Sequence, residues 1–444
     1  MSRLVGMIVI LAALLAALVG LSAAFYLGAG ALAVKFAGWG LPPQYGATIV
    51  NVVTLLLVVV MVPGSLLSVA ERKWSALIQN RIGANRIRVF GSALGGIPFL
   101  IADAVKMLTK ERFQPALATK FLFNLAPVLA FAPILALFAI IPVGPELPLR
   151  AIVGADGPLG QVGVALQVAN PDAGLLYLFA IASLAVYGTS LAGWASNNKF
   201  ALLGGVRAAS QMISYEVSLG LALVGTMIAF RTLRLEEMVV AQGQAVLGPI
   251  PALGILLQPI GFLVFFASAF AETKRAPFDL PEGESEIVGY FIEYSGMQFG
   301  LMFLSEFVEI VILSAVVVAV FFGGWHPIFF EETLRANLTP LWFAAVGAGA
   351  FLGKMIVLMW LQMVIRWLLP RFRYDQIQQL CWKILLPVAL LNIFVTGAAV
   401  LLDPSLHLLA WIGVATLVAI GAITAAASRA PEPASGHAHA AAGH

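Results

Sequence analysis

Ten apolar runs divide this chain, each close to the roughly 20 residues that a helix needs to cross hydrocarbon. Eight form a core, at 47–70, 121–142, 175–195, 211–230, 253–271, 301–323, 341–366 and 383–402. Two more lie outside it, at 4–27 and 407–427. The fold class expected is all-α: a polytopic integral membrane helix bundle with eight core transmembrane helices and an extra helix at each terminus. The organisation expected is an N-terminal extension over 1–46, a membrane domain over 47–402, a C-terminal span over 403–428 and a disordered tail over 429–444. Arg3, the Ala/Leu run and the small residues Ser22, Ala23 and Ala24 resemble a signal peptide. The apolar stretch is longer than the usual signal core of about 7–15 residues, so a retained helix is expected.

Composition narrows the function classes. Hydrophobic residues make up 61% of the chain and charged ones 11%, against about 25% charged in soluble domains. The net charge of +3 is too small to argue for nucleic acid. The lone Cys381 excludes a disulfide framework, and it excludes a cysteine-ligated iron–sulfur cluster, which takes about four thiolates. Three of the five histidines sit in the tail HAHAAAGH, so no haem or zinc site is expected. Any redox centre must then belong to a partner.

Alternate loops differ sharply in basic residues. One set carries Arg72, Lys73, Arg81, Arg86, Arg207, Lys274, Arg275, Arg366, Arg371 and Arg373, among others. The other has only Lys35, Arg150, Arg231, Arg234 and Arg335. By the positive-inside rule the rich side is cytoplasmic. The opposite loops, 143–174 and 231–252, are rich in Gly, Pro and Val and show no chemistry.

The chemistry concentrates in residues 272–295, ETKRAPFDLPEGESEIVGYFIEYS. Glu272, Asp279, Glu282, Glu284, Glu286 and Glu293 face only Lys274 and Arg275. Ionised carboxylates beside hydrocarbon are costly, so such a cluster must be solvated, paired or used. A hydrated connector is the ordinary reading. Phe278, Tyr290, Phe291 and Tyr294 interleave with the acids and favour a loop that lines a cavity or docks on a partner.

Upstream, ERKWSALIQNRIGANR opens with Glu71, Arg72 and Lys73 at the end of a span. Basic residues there commonly snorkel, whereas an acid is expected to pair. The stretch GGIPFLIADAVKM, 95–107, is apolar at helical spacing but too short to span, and fits an interfacial helix. Asp103 within it needs a polar partner or a wet cavity. Glu216, Glu306 and Glu309 fall inside spans, the last two on one helix face. Intramembrane acids are proton-relay candidates by default, with structural pairing as the alternative. Lys354, also inside a span, is a candidate counter-charge to one of them. Glu272, Glu216 and Glu306 lie on spans that meet the same side, which permits clustering.

These stretches resemble the quinone-site membrane subunit of respiratory complex I, the proton-pumping NADH:quinone oxidoreductase, called the H subunit in bacteria. The resemblance rests on ERK at 71–73, QNRIGANR at 79–86, ADAVKMLTKE at 102–111 and GWASNNKFALLGGVRAASQMISYE at 193–216. ETKRAPFDLPEGESE at 272–286, EYSGMQFGLMFLSE at 293–306 and RYDQ at 373–376 complete it, over about residues 47–402. It implies a quinone tunnel running from the bilayer toward the last iron–sulfur cluster of a docked hydrophilic arm. Glu71, Arg72, Asp103, Arg275, Phe278, Asp279, Glu282, Glu284 and Glu286 match tunnel positions. Glu216, Glu272 and Glu306 match acids that carry protonation change toward antiporter-like subunits. It further implies quinone as substrate, no cofactor bound by this chain alone, and iron–sulfur clusters and FMN in partner subunits.

The chain departs from the family pattern at Ala84 and Arg88, and its acidic loop is one residue shorter between Glu286 and Glu293. A membrane anchor subunit of an energy-converting membrane-bound hydrogenase is the alternative reading. A secondary transporter with a midplane acid site is a third. The absence of a convincing internal repeat counts against it.

Overall fold

A computed structural model describes residues 2–88, 91, 94–248, 250–283, 286–327 and 331–429. Nine helices among them are long and apolar enough to cross a membrane. We label the principal helices α1 (Ser2–Gly38), α2 (Pro43–Ile78), α3 (Ile97–Thr109), α4 (Lys120–Ile140), α5 (Gly174–Ala195), α6 (Lys199–Phe230), α7 (Pro259–Glu272), α8 (Gly296–Phe321), α9 (Pro340–Leu368), α10 (Tyr374–Leu402) and α11 (His407–Arg429). The chain is a polytopic all-α bundle, as its apolar runs require. Among the described residues, strands are confined to two small antiparallel hairpins, β1 (Gly144–Pro148) with β2 (Gly163–Leu166) and β3 (Ala245–Leu247) with β4 (Ile250–Pro251). Both hairpins lie in the Gly- and Pro-rich loops.

Helix α8 is the axis of the bundle. Apart from a few polar residues, chief among them Glu306 and Glu309, it is apolar on all sides, the pattern of a helix enclosed by others, and 83% of its most apolar 18-residue window is buried. Helices α2, α3, α4 and α9 pack on it, and α5, α6, α7 and α10 complete the ring. Close crossings use small residues, as expected where lipid offers no hydrophobic drive between helices. At Gly188 of α5 a Cβ would lie 2.3 Å from the backbone of Ala130 on α4.

Four spans differ in detail from their apolar runs. The run 253–271 is interrupted: a turn at Gly254–Leu257 is separated from α7 by Gln258, at φ −135° and ψ 58°. Gln258 precedes Pro259, which disfavours helical backbone at that position. Its side chain donates to Thr396 and accepts from Asn392 of α10, both at 2.7 Å. Helix α6 starts at Lys199, where the Asn198 side chain accepts from the Phe200 N–H at 2.9 Å, so Glu216 lies well inside it rather than near its start. Helices α2 and α10 each contain π-helical turns, at Thr54–Met61 and Leu380–Leu385. Of the tail over 429–444, only Arg429 is described, as the last residue of α11.

Candidate functional site

Two adjacent cations organise the site. Helix α7 ends at Glu272, and Lys274 then takes a left-handed backbone, φ 57°. Thr273, Lys274 and Arg275 are 1%, 2% and 7% exposed, so the loop begins inside the bundle. Helix α8 offers Glu306 and Glu309, three residues apart. Arg275 lies 3.7 Å from Glu306, and Lys274 lies 3.4 Å from Glu309. On its other side Arg275 donates to Glu71 of α2 at 2.6 Å, and Glu71 also pairs with Arg366 of α9. Helices α2, α8 and α9 thus meet the loop at one ionic cluster. Buried charges persist only when paired in this way.

Glu306 has a further partner from the loop, since the Glu282 carboxyl hydrogen-bonds it. Burial pushes the Glu282 carboxyl well above the ordinary carboxylate range, with Glu306 and Asp279 adding to the effect and Arg275 opposing it. A protonated Glu282 can donate to Glu306, which lets the two acids touch without repulsion. Burial alone works against the Lys274 ammonium, but Glu309, Glu306 and Glu282 outweigh it and raise its pKa.

Beside the cluster, a cavity of about 190 Å3 lies between α2, α3 and α8. Ser65, Ser68, Asp103, Met107, Phe303 and Phe307 are among its walls. Asp103 pairs with Arg72 at 2.8 Å across α2 and α3, and both remain partly exposed. Helix α3 turns Ile97, Ile101, Val105 and Leu108 outward, an apolar stripe suited to lipid. Phe307 belongs to both places. It lines the cavity, and the Arg275 guanidinium sits 3.8 Å from the centre of its ring.

A second, smaller cavity of about 30 Å3 lies deeper in the bundle, where Glu216, Glu272 and Glu309 meet apolar walls such as Leu137, Phe179 and Phe265. That is room for one or two waters. Glu309 therefore has its carboxylate at the boundary between the cavity and Lys274.

The sequence-predicted residues separate into groups. Glu71, Arg275, Glu282 and Glu306 come together, Arg72 and Asp103 form a pair at the larger cavity, and Glu216 and Glu272 share the smaller one. Phe278 packs edge-on to Tyr215 at 5.8 Å and against Phe372 at 5.5 Å. Asp279 is held by Arg371, through its backbone oxygen and at 3.5 Å through its carboxylate. Glu286 lies apart, in an exposed pair with Arg207 at 2.8 Å that lowers its pKa. Glu284 lies outside the described residues. Lys354 is not the counter-charge expected for the intramembrane acids. Its ammonium donates to the carbonyls of Phe322, Gly324 and His326, capping the far end of α8. Sequence reasoning missed Arg366, read only as part of the basic bias, and the role of Lys274 as the partner of Glu309.

Comparison with known proteins adds identity to this geometry. Residues 50–397 match the family described as NADH dehydrogenase. The chain is 43% identical over 347 residues to an NADH-quinone oxidoreductase H subunit of Geobacter metallireducens, covering 78% of this chain and 94% of the relative. It is 41% identical over 352 residues to an H subunit of the same enzyme from Cytophaga hutchinsonii, covering 79% and 96%. With the H subunit of Flavobacterium psychrophilum the identity is 41% over 337 residues, covering 75% and 91%. The chain belongs to this family. The family match runs from within α2 to within α10 and contains every residue of the ionic cluster and both cavities. Helices α1 and α11 lie wholly outside the matched residues.

Proposed function

We propose that this chain is the membrane subunit of a proton-translocating NADH:quinone oxidoreductase, working only within the assembled complex, and that the cavity between α2, α3 and α8 is the way in for quinone. The observation that carries this reading is the shared wall at Phe307. An apolar cavity beside a lipid-facing stripe leads, through one aromatic ring, to a buried cluster of carboxylates and guanidiniums. The apolar walls suit an isoprenoid tail, and the Arg72–Asp103 pair offers hydrogen bonds to a head group on its path.

Reducing a quinone takes up two protons and creates negative charge on its oxygens. Arg275 would stabilise that charge at a water-poor site, where each pairwise term exceeds its value in water. Glu282, with its raised pKa, can hold the proton to be given. Phe278, Asp279 and Glu286 would form the rim on which a hydrophilic arm carrying FMN and iron–sulfur clusters docks. Glu306 touches Glu282 directly, and Glu216 and Glu272 lie beyond Glu309, so they are placed to carry a protonation change toward neighbouring membrane subunits. The basic bias supports the cytoplasmic side of an inner membrane for this loop.

Filling the larger cavity tests the reading. A Cβ at Gly300 would lie 2.7 Å from the Met107 sulfur, so Gly300→Leu narrows the cavity without touching a charge. In the intact complex, checked by native gel, quinone reduction should fall while ferricyanide reduction persists. Unchanged quinone kinetics in an assembled complex would show that quinone does not pass this way.

A further inference from the structure

Lys274 is a buried charge of the loop that this reading leaves unused. It is 2% exposed, and its charge faces acids on every side. Glu309 and Glu306 face it from α8, Glu282 from the loop and Glu272 from the end of α7. Glu272 and Glu309 belong to the deep cavity shared with Glu216. Glu306 and Glu282 belong to the cluster beside Phe307. The ammonium is the cation that pairs directly with Glu309 while remaining within electrostatic reach of Glu306 and Glu282, and its flexible four-carbon stem lets it shift between them.

We propose that Lys274 is a positioning residue whose ammonium, shared between Glu309 and the Glu306–Glu282 pair, transmits a change of charge at the quinone side to the deep cavity. The proposal rests on the reading above. When Glu282 gives its proton to a reduced quinone oxygen, the Glu282–Glu306 pair gains one negative charge. The ammonium is drawn toward that pair and away from Glu309, which then faces the cavity of Glu216 and Glu272 without its counter-charge. Arg275 is poorly suited to this role, because Glu71, Glu306 and the Phe307 ring hold its planar guanidinium in place.

The experiment measures protons moved per NADH oxidised in membrane vesicles containing the intact complex. A dye reports the proton gradient beside the rate of quinone reduction. Lys274→Met should abolish most of the proton gradient formed per NADH oxidised while quinone reduction continues. Lys274→Arg, which keeps the charge, should restore it. Lys274→Met combined with Glu309→Gln removes both charges without leaving either unpaired. It should assemble and remain uncoupled. A wild-type ratio in Lys274→Met, or full coupling in the double variant, would overturn the proposal by reducing the pair to a structural contact. Failure of both neutral variants to assemble, with Lys274→Arg fully coupled, would make Lys274 a folding residue and overturn it equally. Wild-type vesicles that oxidise NADH without reducing quinone would sink the underlying reading instead.

Discussion

Replacing Glu71 with Gln alters one charge and almost no volume, which makes it a direct probe of the ionic cluster. Glu71, Glu306, Arg275 and Arg366 balance two negative charges against two positive ones once Glu282 carries its proton. Glu71→Gln leaves two guanidiniums with one carboxylate. Breaking a buried pair costs about 3–5 kcal/mol. The lower end applies here, because Arg275 keeps Glu306 at 3.7 Å and Arg366, 28% exposed, regains water. About 3 kcal/mol corresponds to up to roughly 150-fold faster heat inactivation if the cluster opens in the limiting step. Arg366→Gln alone leaves two carboxylates with one guanidinium and should also destabilise. The double variant returns to one of each, the Arg275–Glu306 pair. It should recover about 2 kcal/mol relative to the sum of the single changes. The assay is the half-life of quinone reductase activity in the intact complex at one fixed temperature. Strictly additive losses, with the double variant worse than either single one, would refute the idea that charge balance holds this site together.

Three further outcomes follow from the same geometry. Asp103→Asn should change thermal stability by less than about 1 kcal/mol, because the Arg72 pair is partly exposed, yet raise the KM for quinone; an unchanged KM removes Asp103 from the path. Glu282 has a folded-state pKa raised above its unfolded value, so its contribution to stability is complete below the ordinary carboxylate pKa and is lost as pH rises through the raised one. Heat inactivation of the wild type should therefore quicken as pH rises through that window, and Glu282→Gln should flatten the profile. The depressed pKa of Glu286 acts in the opposite sense, with stability lost as pH falls through it. Lys354→Met strips a charged donor from three carbonyls at the end of α8, each such bond being worth about 1.5–3 kcal/mol; the yield of assembled complex on a native gel should fall.

Much of this was legible in the residues because bilayer physics leaves few choices. Apolar runs gave every principal membrane helix, and GGIPFLIADAVKM gave the short helix α3 with an acid in need of a partner. That partner, Arg72, was in view but unassigned, since periodicity fixes which face a residue takes and not which other helix faces it. The same limit hid Arg366 behind the general basic bias. It also made Lys354 a plausible partner for the intramembrane acids, when its ammonium serves broken backbone at the opposite end of α8. The break at Gln258 was signalled by Pro259, but hydropathy is blind to backbone conformation and drew one continuous span.

That break also bears on why an acidic loop can be buried at all. Helix α7 has 14 residues, about 21 Å at 1.5 Å per residue, against a hydrocarbon core near 30 Å. It cannot carry the chain across alone, so the turn at Gly254–Leu257 covers part of the depth and the loop after Glu272 starts within the bundle. Thr273, Lys274 and Arg275 are buried for this reason, and their charges meet Glu306 and Glu309 on α8 instead of water. A longer α7 would lift the two cations toward the surface and leave the two glutamates enclosed without partners, at several kcal/mol each. The short helix and the acids of α8 thus depend on each other. Moving the loop outward by inserting one helical turn before Glu272 should abolish assembly, and adding Glu306→Gln with Glu309→Gln should restore it. If the neutral pair fails to rescue the insertion, the loop is held inside by packing and not by its charges.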